Sequence, residues 1–95
     1  MSTVIDTAVA ALALRFSGGF GGVAKFVIPG EGAIMVDGAG VREGDEDADV
    51  TLTATTEVFE QLLAGDLSAA SAFMTGKLSV DGSMGLAMKL GQVLG

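Results

Sequence analysis

Histidine, cysteine, tryptophan and tyrosine are all missing from this 95-residue chain, and proline occurs once. Each absence removes a class of chemistry. Without His or Cys there is no Ser–His–Asp or Cys–His nucleophile pair. Tetrahedral zinc, iron–sulfur and blue-copper sites lose their usual ligands in the same way. Disulfides are impossible, so nothing in the fold depends on an oxidising compartment. Trp and Tyr are the usual anchors of protein interfaces and of the membrane–water boundary, and neither is available. Carboxylates, five Lys/Arg and Ser/Thr hydroxyls are left for chemistry. The sequence predicts a protein that is not an enzyme and carries no metal and no cofactor.

Basic charge is scarce as well. Twelve acids against five bases leave a net charge of −7. A nucleic-acid binder needs a basic face to neutralise phosphates, so that class is excluded. The same sign disfavours attraction to anionic lipid surfaces. Much of the excess is local, because residues 42–49 hold five acids and one base. Long hydrophobic runs are missing too. The longest early one, Ala8 to Leu14, is far short of the roughly 18 residues that a span requires. Asp6 is the only charge before it, where a signal peptide wants a positive segment. The expected location is the cytoplasm.

What is present is apolar. Leu, Val, Ile, Met and Phe together make up over a third of the chain, and charged residues only 18%. That composition builds a core and lacks the signature of disorder. The length suits a single domain, 1–95.

Periodicity orders the elements. Ile5, Val9, Leu12 and Phe16 form a helical stripe over 3–16, with capping-box spacing at Thr3 and Asp6 and a stop at Gly18-Gly19. From Val23 the period becomes that of strands: Val23–Ile28, Ala33–Asp37 after the turn Pro29–Gly32, and a short Val41–Glu43. Val50, Leu52 and Ala54 then alternate with threonines. Thr55 or Thr56 caps a helix ending at Gly65, and Ser68 caps another ending at Gly76. Lys77–Asp81 alternates again, and Ser83 caps Met84–Leu94. The order α-β-β-β-β-α-α-β-α predicts an α+β domain, a five-stranded sheet with helices on one face.

Most motif matches fail on context. The D-x-D-x-D of Asp45, Asp47 and Asp49 opens like a calcium loop, but Val50 and Thr56 stand where such a loop needs Gly and Glu. It reads as a solvated acidic turn. Gly19 to Ala24 fits G-x-G-x-x-A, yet it follows a helix and opens a strand, the reverse of a dinucleotide site. Gly76-Lys77 lacks the Ser/Thr of a phosphate loop, with Leu78 in its place. Glu57 and Glu60 sit on the polar side of their helix, opposite Leu62 and Leu63, as solvated charges. The methionine-rich end is different. Phe73, Met74, Met84, Leu86, Met88 and Leu90 crowd into 18 residues, and the last helix is apolar nearly all round. Met suits irregular apolar surfaces, so core packing and a ligand wall both fit this stretch.

Residues 49–54 (DVTLTA), 63–68 (LAGDLS) and above all 72–90 (AFMTGKLSVDGSMGLAMKL) closely resemble the sterol carrier protein type-two family. The likeness is clear from about Val23 to Leu90 and looser in the first helix. It implies a small stand-alone member with a curved, mostly antiparallel five-stranded sheet whose helices enclose an apolar tunnel for lipid. It also implies non-enzymatic binding and transfer of fatty acid, fatty acyl-CoA, phospholipid or a sterol-like molecule. Carried over residue by residue, the tunnel wall would comprise Phe59, Leu62, Leu63, Phe73, Met74, Met84, Leu86, Met88 and Leu90. The chain is shorter than most relatives, and Gly91 then Gln92 follow where a polar residue often stands directly. Nothing in it selects a ring system over a chain. The alternative is an interaction or dimerisation module, its apolar opening covered by a second copy or by a lipid-related enzyme.

Overall fold

The computed structural model describes residues 3–94, in which the two periods of the sequence become four helices and five strands. They are α1 (Thr3–Arg15), β1 (Ala24–Ile28), β2 (Gly32–Asp37), β3 (Gly40–Glu43), β4 (Val50–Thr53), α2 (Thr56–Ala64), α3 (Ala69–Met74), β5 (Ser79–Gly82) and α4 (Met84–Leu94). The hydroxyl caps act where the sequence places them. Thr55 Oγ1 accepts from the Val58 amide at 3.3 Å, Ser68 Oγ from Ser71 at 3.1 Å and Ser83 Oγ from Leu86 at 3.3 Å. Gly65 closes α2 in the left-handed conformation, φ 81°.

The strands lie in the order β3-β2-β1-β4-β5. Three ladders are antiparallel and β1–β4 is parallel, so the sheet is mixed. A parallel pair needs a crossover, and the acidic segment after β3 supplies it. Leaving β3, the chain first extends the β2–β3 ladder by one bond, the Gly44 amide donating to the Ala33 carbonyl at 3.0 Å. Lys25 on β1 then holds Asp45 at 2.8 Å, and Asp49 accepts from the Val23 amide at 3.1 Å before β4 begins. The acidic turn is solvated as expected, with Asp45 and Glu46 still 77% and 65% exposed while they pair with Lys25 and Arg42, and it serves as a strap between β3 and β4. Met35, on the face away from the helices, is fully buried, and Gly44 lies close enough that a Cβ there would come within 3.2 Å of the Met35 Cγ.

The register puts Ala24, Phe26, Ile34, Val36, Val50 and Leu52 on the opposite, inner face. There they meet Ile5 and Leu12 of α1, Val58, Phe59 and Leu62 of α2, and Leu90 and Leu94 of α4 in one apolar core. Phe26 and Phe59 meet edge to face at 5.6 Å. Among the described residues no polar side chain is buried, and no helix is long and apolar enough to cross a membrane.

Several bounds shift from the sequence reading by one or two residues. β5 starts at Ser79 rather than Lys77, because the Lys77 and Leu78 amides both turn back to the Ala72 carbonyl after α3. β3 starts at Gly40, where the tight turn from Asp37 ends.

Candidate functional site

The core does not close at the β4–β5 end of the sheet. α3 and α4 stand apart over Leu52, Leu78 and Val80, leaving an open cavity of about 460 Å³. Its size falls within the range of small-molecule sites, about 300 to 1,000 Å³. Sequence explains the gap. α3 offers Ala69 and Ala70 to the space, and α4 offers Ala87 and Gly91, all too small to fill it. Gly91 also sets one end, since a Cβ there would lie 3.3 Å from the Ala69 Cβ, so the two helices are nearly in contact at that point.

Phe73, Met84 and Met88 form the outer lip, and they are 46%, 51% and 67% exposed. Large apolar side chains exposed together around one opening are unusual in a folded chain. Ser68 and Gln92 are the polar side chains of the lining. The Ser68 oxygen is engaged in capping α3, which leaves its hydroxyl proton and the Gln92 amide available for hydrogen bonding. No titratable group lines the cavity. The wall can exclude water from a hydrocarbon and orient a polar end, and it contains nothing to move a proton. Among the described residues, no cluster of carboxylates is arranged to hold a metal ion.

The residues expected to wall a tunnel go to different places. Phe73, Met84 and Met88 come together at the cavity. Phe59, Leu62 and Leu90 belong to the shared core, each no more than 4% exposed. With Leu63, Phe59 instead borders a smaller hollow of about 230 Å³ between α1 and α2. Leu86 turns toward Gly22, where a Cβ would approach its side chain to 2.9 Å. Met74, 83% exposed, lies outside the lining. Sequence reasoning missed Leu52, Leu78 and Val80 as the floor and the alanines as the space. The alternation of β4 and β5 marks that floor as inward-facing. Small residues give no hydrophobic signal that would have marked the void.

Comparison with known proteins agrees with this geometry. The model of the SCP-2 sterol transfer family matches residues 7–95. Hydroxysteroid dehydrogenase-like protein 2 of Xenopus laevis is 37% identical over 82 residues, covering 78% of this chain and 20% of that protein. The chain thus spans about a fifth of the length of that relative. The crystal structure of sterol carrier protein 2-like 2 from Aedes aegypti superposes with a TM-score of 0.80 at 24% identity, over 95% of each chain. The solution structure of sterol carrier protein 2 from the same organism, in complex with the C16 fatty acid palmitate, gives 0.78 at 25% identity, over 99% of this chain and 96% of that one. From strand order to family model, the observations converge: this chain belongs to the SCP-2 sterol transfer family.

Proposed function

We propose that residues 1–95 act as one lipid-carrying unit, in which the cavity between α3 and α4 takes the hydrocarbon chain of a fatty acid, fatty acyl-CoA or phospholipid. The observation that carries this reading is an apolar cavity of about 460 Å³ whose lining holds no charge. Affinity comes from removing methylenes from water, at about 0.8 kcal/mol each. About a dozen would gross some 10 kcal/mol before the cost of ordering the chain. Ser68 and Gln92 are placed to meet the polar end. The reading is non-enzymatic. The palmitate held by the Aedes aegypti protein of the same fold supports it.

A fluorescent fatty acid tests it. Ala87→Phe places a ring in the void, taking the room of at least two methylenes, and weakens binding by about tenfold or more. Ser79→Ala, on the outer face of the sheet, leaves it unchanged. Equal affinity in a folded Ala87→Phe variant contradicts the assignment. A second reading, that a copy of the chain or an enzyme covers the opening, is favoured by the exposed Met74 and by the dehydrogenase-like relative. A solution mass above that of one chain in ligand-free protein would support it.

A further inference from the structure

With no cysteine in the chain, its methionines are the side chains that a peroxide oxidises first. Met35, Met74, Met84 and Met88 fall among the described residues, and the fold divides them three ways. Met35 is fully buried. Met74 is exposed but lies outside the cavity lining. Met84 and Met88 are exposed and belong to the lining, so an oxidant in solvent and a hydrocarbon in the cavity reach the same pair of thioethers. The pair stands at i, i+4 on α4, on a helix face that continues to Gln92, itself part of the lining.

We propose that Met84 and Met88 form a reversible oxidation site, through which hydroperoxides lower the affinity of the cavity for hydrocarbon. The proposal rests on the lipid-carrier reading. A sulfur lone pair attacks the terminal oxygen of the hydroperoxide, an S–O bond forms and the O–O bond breaks. The proton on the transferred oxygen moves to the leaving one, which departs as water or an alcohol. Sulfur loses an electron pair and the peroxide gains it. The sulfoxide is polar, and a hydrocarbon laid over it displaces its water without replacing the hydrogen bonds. Oxidation of both residues therefore weakens binding by about tenfold. A bound chain in turn shields both sulfurs from peroxide and leaves Met74 reactive. Thiol-dependent sulfoxide reductases, one for each sulfoxide epimer, restore the apolar lip.

Hydrogen peroxide treatment, followed by tryptic mass mapping and titration with fluorescent fatty acid, tests the site. Cleavage after lysine and arginine places Met35 in peptide 26–42, Met74 in 43–77, and Met84 with Met88 in 78–89. Peptides 43–77 and 78–89 gain oxygen, while 26–42 stays unmodified and so reports an intact fold. Affinity falls about tenfold and returns after treatment with both reductases. Palmitate added beforehand slows oxidation of 78–89 but not of 43–77. Met74→Leu loses affinity on oxidation as the parent does, whereas Met84→Leu/Met88→Leu keeps whatever affinity it had before treatment. A loss that persists in the double variant, or unchanged parent affinity with 78–89 fully oxidised, overturns the oxidation site and leaves the carrier reading standing. An untreated parent that binds no fatty acid overturns the carrier reading and the oxidation site with it.

Discussion

Gly82 shows how much one residue decides. Its φ of 102° disfavours any side chain, and a Cβ built on it would collide with the Asp49 carbonyl oxygen. That contact is where the strap, β4 and β5 converge, so Gly82→Ala should cost about 2 kcal/mol or more in urea unfolding. A loss near zero would mean the backbone relaxes there. Asp37 makes a second residue-scale argument. The Arg42 guanidinium, and after it the Ala39 amide, hold its carboxyl below the usual aspartate range. A lowered folded value adds stability at pH above the ordinary one, about 4, and loses it as pH falls through the lowered value. The parent should therefore lose stability more steeply below about pH 4 than Asp37→Asn does, as read from unfolding midpoints across pH. Parallel curves would contradict the pairing. Residue chemistry also limited what the sequence revealed of the site. Leu62, Leu90 and Phe59 are as apolar as any tunnel wall, and only the register and helix packing assign them to the core.

Helices and strands were legible because their signals are local. Hydroxyl caps, glycine stops and the alternation of Val50, Leu52 and Ala54 operate over a few residues, and the structure preserves their bounds within about two. The parallel β1–β4 pair left no such trace, since nothing within either strand records its neighbour. The ion pairs of the strap left no local trace for the same reason. Lys25 is 20 positions from Asp45, so the acidic run showed its solvation and not its pairing. At this scale α4 combines two glycines with different duties. Gly91 faces Ala69 at close range, whereas a Cβ on Gly85 would meet only Ser83 Oγ, at 3.9 Å. Gly85→Ala should therefore stabilise the protein by about 0.5–1 kcal/mol, through helix propensity alone. Thermal unfolding checks it, and a destabilised variant would show that α4 needs flexibility or room at that position.

Across the whole molecule, the sheet separates two chemical faces. The outer one carries the Lys25–Asp45 ion pair and Met35 beside Gly44, and the inner one carries the core and, where α3 and α4 part, the cavity. A small core that ends in an unfilled apolar space gives up packing energy there, because interiors otherwise close to crystal-like density. Hydrocarbon restores it, which is why the void is read as a binding site rather than as a defect. The most direct measurement is native mass spectrometry of freshly purified protein, followed by organic extraction of whatever is bound. The account predicts a population heavier than one chain by the mass of a single lipid, with a fatty acid, acyl-CoA or phospholipid in the extract. A clean chain mass, with no binding of added fluorescent fatty acid, would contradict it.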